Sequence, residues 1–142
     1  MSSGDTTAAS VTMEAVFEAL TTDAAFDAAV ESRIFSDIPE DTPRPCVLYE
    51  IADEVDRRGF GTGGLPEMEL RTHVFTDSEN VFEGQALNLQ IVALLKDKAL
   101  TATGYTQAGL VVYRRSLPLR DEVLHGVKVH EIISVFTIWM EQ

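Results

Sequence analysis

The sequence carries one cysteine, Cys46, and one tryptophan, Trp139, in 142 residues. A lone thiol excludes an intrachain disulfide and a cysteine metal cluster. Bases are scarce as well, 11 against 23 acids, for a formal charge of −12. Phosphate neutralisation needs clustered Lys and Arg, so this balance argues against a nucleic-acid clamp and equally against an anionic membrane partner. No apolar run reaches the roughly 18–20 residues of a membrane span. Residues 1–10 lack the basic and apolar stretches of a secretory signal and read as a disordered tail, in a chain expected to be made and kept in a cytoplasm-like compartment. The sequence has no P-loop, EF-hand loop or G-x-S-x-G string. With no repeat of 20–50 residues, residues 11–142 read as a single domain.

Hydrophobic periodicity is what the chain does have. Met13, Val16, Phe17 and Leu20 fall at i, i+3, i+4 and i+7, the stripe of an amphipathic helix over 11–20. The cap residues Thr21, Thr22 and Asp23 then open a short helix over 24–30 presenting Phe26 and Val30. Ile34 and Phe35 suit a short strand, and three prolines keep 38–45 irregular. Residues 46–56 alternate, with Val47, Tyr49, Ile51 and Val55 against Glu50, Glu54 and Asp56. Residues 68–74 repeat the pattern, so the two strands read as a long antiparallel hairpin with a glycine-rich tip. Thr76 to Glu79 has the form of a capping box for a helix running to about residue 99. Its stripe is Phe82, Ala86, Leu89 and Ala93, widened by Leu87, Ile91, Leu94 and Leu95, with Lys96 and Lys98 in the last turn. Strands over 110–117 and 127–140 complete the chain.

This order predicts an α+β fold, one mainly antiparallel sheet of about four long strands with two to three helices packed on one face. The last strand is apolar on both sides. Val127, Val129, Ile133, Val135 and Trp139 share one side, and Ile132, Phe136, Ile138 and Met140 share the other. One helical layer covers one face, so the second set is expected to be bare until another chain hides it.

Residues with chemistry are few. Gly59 to Gly64 spells G-x-G-x-x-G but lies between two strands, the wrong context for pyrophosphate, and reads as a hairpin tip. Glu50 and Glu54 stand about 13 Å apart on one strand face, too far for paired acid/base work, and either suits a cross-strand pair with Arg71. His73, His125 and His130 lack metal-ligand spacing, so no metal and no cofactor is expected. Cys46, with no histidine placed to activate it, reads as a buried thiol. An enzyme therefore has almost no residue-level support. Arg57-Arg58 and Arg114-Arg115 are the basic doublets, suited to an acidic neighbour or to plain solvation.

The helical opening 13–20, Asp23-Ala24-Ala25-Phe26, Arg33-Ile34-Phe35, the proline loop and Pro45-Cys46-Val47-Leu48-Tyr49-Glu50 form a sequence of landmarks. With the alanine-and-leucine-rich helix at 84–95 and the closing Phe136-Thr137-Ile138-Trp139, the pattern resembles the tail-terminator, or tail-completion, proteins of long-tailed phages and gene-transfer particles. The resemblance spans residues 11–142. It implies a non-enzymatic virion protein at the tail–neck junction, a homo-oligomeric ring, expected to be hexameric. The ring would cap the head-proximal end of the tail tube, stop its polymerisation and meet the head–neck connector. DNA would pass through without specific binding, since a ring this acidic repels phosphate; a high-salt host would also account for the acidity. Alternatives are another neck component, an adaptor or stopper, or a small ligand-binding or enzymatic α+β domain. The contact residues expected are Arg57, Arg58, Phe60 and Leu65 at the hairpin tip. Arg120, Asp121 and Glu122 are a second set, in a loop over 118–126.

Overall fold

The computed structural model describes residues 7–56, 66–77 and 81–141. Among them the order is α1 (Ala8–Thr22), α2 (Ala24–Ala29), β1 (Ile34–Phe35), β2 (Cys46–Asp56), β3 (Pro66–Thr76) and α3 (Val81–Leu95). It continues with β4 (Thr106–Gln107), β5 (Val112–Ser116), β6 (Arg120–Leu124) and β7 (Val127–Glu141). The sheet runs β1-β2-β3-β7, and β4, β5 and β6 succeed one another along the far edge of β7. It is mixed, because β1 pairs parallel with β2 while every other pairing is antiparallel. Only β2, β3 and β7 are long; the strand expected over 110–117 is the five-residue β5, and the short β4 and β6 lie on either side of it.

Local chemistry sets the helix limits. Ser10 N–H donates to Thr7 Oγ1 (3.1 Å) and Thr7 N–H to Ser10 Oγ (3.0 Å), a reciprocal cap that starts α1 at Ala8. Residues 8–10 are thus helix rather than tail, and residues 1–6 lie outside the described residues. Asp23 ends α1 and caps α2, its Oδ1 accepting the Phe26 N–H at 2.9 Å. Val16, Leu20 and Phe26 are fully buried, while Phe17, placed by periodicity on the inner stripe, is 42% exposed.

Register decides which face of each strand meets the helices. Met68 stands opposite Ile138, Leu70 opposite Phe136, and Val74 opposite Ile132. Met68, Leu70, Val74, Phe136 and Ile138 join Val47, Tyr49 and Met140 in one core with Leu87, Ile91 and Leu95 of α3, and Ile132 packs close to Gly84 of α3. Ile132, Phe136, Ile138 and Met140, expected to be bare, are therefore at most 5% exposed. Periodicity could not choose between two apolar faces, and the pairing with β3 does. The opposite face is not open along its whole length either. Ile38, Cys46, Phe75 and Val129 form a second, smaller cluster under the proline-rich segment. There His125 Nε2–H donates to the Ile38 carbonyl at 2.9 Å.

Helix α3 reverses another expectation. Leu87, Ile91 and Leu95 face inward, whereas Phe82 is 75% and Leu89 69% exposed, with Ala86 and Ala93 exposed beside them. An Ala- and Leu-rich helix is apolar nearly all round, so its periodicity does not identify the buried side. Gly84 lets the helix approach the sheet: a Cβ there would lie 3.3 Å from Thr76 Oγ1. Thr76 closes β3 instead of capping α3, and Lys96 and Lys98 follow the helix end. Residues 78–80, including Glu79 of the expected capping box, lie outside the described residues.

The two sides of α3 should differ sharply on truncation. Ile91→Ala is expected to cost about 3 kcal/mol in chemical denaturation, by cavity formation. Leu89→Ala should stay within about 0.5 kcal/mol of the parent. Equal losses would contradict the assigned faces.

Candidate functional site

The residues expected to make contacts separate into two groups. Arg57, Arg58, Phe60 and Leu65 lie outside the described residues, between the ends of β2 and β3. Arg120, Asp121 and Glu122 are not in a loop: they form strand β6, joined to β7 by the turn His125-Gly126, with φ of 49° and 82°. Positive φ at both central residues is the two-residue turn that matches the twist of a hairpin. Gly126 was the available sequence signal, masked by the charged residues before it and by the break at Pro118.

Arg120 points to its own chain. Its Nε–H donates to Glu131 Oε1 at 2.8 Å, and its Nη2 lies 2.7 Å from the same oxygen and 3.4 Å from Glu122 Oε2. The other oxygen, Glu131 Oε2, accepts from His73 Nδ1 at 2.7 Å, and His73 Nε2 meets Glu50 Oε2. A continuous charged clasp, Glu50–His73–Glu131–Arg120, thus crosses β2, β3, β7 and β6 on the sheet face away from the helices. His73 and Glu131 are buried, and the Phe75 ring lies parallel to the imidazole at 6.1 Å between centroids.

The clasp follows from register. His73 is opposite Leu48 and Ile133, so Glu50 and Glu131 are its diagonal neighbours two residues along each adjacent strand. Arg71 is directly opposite Glu50, the pair expected from the sequence, yet its Nε–H donates to Glu69 at 2.7 Å. Burial lowers the His73 pKa, but hydrogen bonds to Glu131 and Glu50 and their charges outweigh it, so the pKa is raised above 6.5. For Glu131, burial acts upward, and the bonds and charges of His73 and Arg120 bring it below the ordinary value of 4.5.

On the helix side a groove of about 430 Å³ runs between the outer part of α3 and the β5–β6 connection. Leu89, Val92, Leu117, Leu119 and Ile132 give it apolar walls. Beneath them, Ser134 Oγ–H donates to Asn88 Oδ1 (2.6 Å) and Asn88 Nδ2–H to Ser116 Oγ (3.1 Å). The Tyr113 hydroxyl lies 2.7 Å from Ser116 Oγ. These polar groups satisfy one another.

Neither place holds an activated nucleophile. The Cys46 thiol is buried and pushed up to about 11, so it stays protonated at neutral pH. Both His73 ring nitrogens are engaged by carboxylates. Among the described residues no three His, Cys, Asp or Glu side chains could hold a metal ion, and no helix is long and apolar enough to cross a membrane. The arrangement fastens strands together and presents surfaces.

The sequence matches the family model of tail completion protein gp17 over residues 14–141. Among solved structures, a chain from the virion of a native gene transfer agent particle has the same fold. The TM-score is 0.69 at 18% identity, covering 91% of this chain and 93% of that one. No curated protein matches.

The clasp has a defined pH window. The His73 contribution is complete below about pH 6.5, the unfolded value, and is lost as pH rises through the raised folded value. The Glu131 contribution is present above about pH 4.5 and is lost as pH falls through its lowered value. NMR titration should place the His73 midpoint above 6.5. The stability difference between the parent and His73→Gln should shrink as pH rises past that midpoint. Glu131→Gln should cost about 3 kcal/mol at pH 6, since it leaves buried charge uncompensated. A pH-independent His73→Gln difference would disprove the clasp.

Proposed function

The chain belongs to the tail completion protein gp17 family, and from that membership we propose that it is a structural virion protein completing the head-proximal end of a tail. Copies form a closed ring on the last layer of the tail tube, stop its polymerisation and offer the opposite surface to the head–neck connector. The observation that carries the reading is the family match over residues 14–141. The fold shared with a gene-transfer-agent virion chain agrees with it.

The physical reason for assembly differs from the one the sequence offered. The apolar set on β7 is used up inside the chain, so it does not recruit neighbours. Exposed apolar side chains lie elsewhere, at Phe82 and Leu89 on α3, at Leu110, and at Val123 and Val127 beside the β6–β7 turn. Such residues on a virion component are suited to burial against other subunits. The net charge of −12 per chain fits a ring through which DNA passes without adhering. Arg57, Arg58, Phe60 and Leu65 are the residues we assign to the tube or an adjacent subunit.

Electron microscopy of particles carrying a tag on this chain should label the tail end beside the head. Label distributed along the tube, or absent from particles, would overturn the reading. Phe60→Ala should lower the fraction of tails joined to heads several-fold while shifting Tm by less than about 2 °C. A large loss of Tm would show that Phe60 serves the fold instead.

A further inference from the structure

The open stretch of β2 and the β5 segment of the opposite edge carry opposite charge. On one side β1 covers only Val47 and Leu48 of β2, so from residue 49 onward the outer edge of β2 has no strand partner among the described residues. This stretch presents Asp53 and Glu54, both exposed, beside Val55 at 37% exposure. On the other side β5 pairs with β7 alone and presents Arg114 and Arg115, both exposed. Each stretch has a register shift, between Ile51 and Asp53 on β2 and between Tyr113 and Arg115 on β5.

Arg114 and Arg115 differ from the chain's other described arginines. Arg33, Arg44, Arg71 and Arg120 each hold an acid of their own chain. Arg114 instead bonds Thr137 Oγ1 at 2.8 Å and lies over the Trp139 ring, and Arg115 meets no carboxylate among the described residues. In a chain of charge −12, two arginines without a carboxylate among the described residues are suited to acids from another copy.

We propose that the β5 edge of one copy pairs with the open β2 edge of the next, with Arg114 and Arg115 set against Asp53 and Glu54. This rests on the ring reading above and names the contact that builds it. Charging an edge protects it from indiscriminate pairing. Here the signs do more, because β2 against β2 or β5 against β5 sets like charges together, and only the unlike edges attract. Contact between two different patches is head-to-tail, the kind that closes into rings. Direction agrees. β2 is antiparallel to β3, β3 to β7 and β7 to β5, so β2 and β5 run in opposite senses within one sheet. Rotation about an axis along the strands preserves those senses. The junction is then antiparallel and continues the alternation of the sheet. Five residues of β5 fit within the open length of β2.

The test uses purified full-length chain, with self-association measured by sedimentation. Arg115→Glu and Glu54→Lys should each weaken association at least tenfold, and the double reversal in one chain should restore it. An equimolar mixture of the two single variants should also recover association, because both junctions between unlike copies set opposite charges together and only junctions between like copies repel. Hydrogen exchange at residues 49–56 and 112–116 should slow on assembly of the parent chain. Unchanged association in both single variants, or unprotected amides in both strands of the assembled protein, overturns the edge pairing while leaving the ring intact. A parent chain that stays monomeric at every concentration also overturns it. The placement of the protein on the tail is scored separately by the labelled particles, so the two failures are distinguishable.

Discussion

The antiparallel register between β3 and β7, which runs from Glu67 opposite Trp139 to Thr76 opposite His130, is the constraint on which the molecule depends. It sends Met68, Leu70 and Val74 with Ile138, Phe136 and Ile132 toward the helices. It leaves His73 and Glu131 diagonal to one another on the other side. A slip of one residue would exchange the faces of β7. Val135, Thr137 and Trp139 would then enter the core, and the clasp would lose Glu131. Apolar packing and the charged clasp therefore specify the same alignment from opposite faces of one sheet, and that agreement singles out one register.

The clasp shows how the second face is managed with a single layer of helices. Near the proline-rich segment this face is closed by the cluster of Ile38, Cys46, Phe75 and Val129. Farther along, the strands are tied by side chains that tolerate water at one end, since Glu50 and Arg120 are partly exposed while His73 and Glu131 are buried. A carboxylate this deeply buried is tolerable only because both its oxygens are engaged. Arg120 is thereby held to Glu131 and Glu122 of its own chain, an engagement that no spacing in the sequence displayed.

Much of the architecture was legible in the sequence. The hairpin strands announced themselves by alternation, and β2 spans residues 46–56 as read. The short β1, the two opening helices and the family resemblance were legible as well. The failures share a cause: they needed a third dimension. Phe82 and Leu89 or Leu87 and Ile91 could equally have faced inward on α3, and either face of β7 could have been the core. Strand β6 was hidden by Pro118 and by three charged residues in a row, Arg120, Asp121 and Glu122. The clasp was invisible because its members are diagonal, and a diagonal is defined only once the register is known. Direct opposition, the simpler guess, paired Glu50 with Arg71, and that bond is absent.

A chain whose apolar strands are satisfied internally must associate, if it associates, through its edges, its outer helix face and its loops. Association through edges suits a part that waits as separate copies. Charged edges oppose indiscriminate pairing, where a bare sheet face would drive premature aggregation. Each unlike-charged contact at a rim is worth little alone and is screened by salt. In a closed ring every copy makes the contact twice, once through each edge, and the last junction forms between ends already held together. Its entropic cost is then largely met by the others, so weak junctions yield a ring in preference to open chains. On the proposed ring, contacts that are marginal singly and firm only on closure would suit a subunit that joins late in assembly.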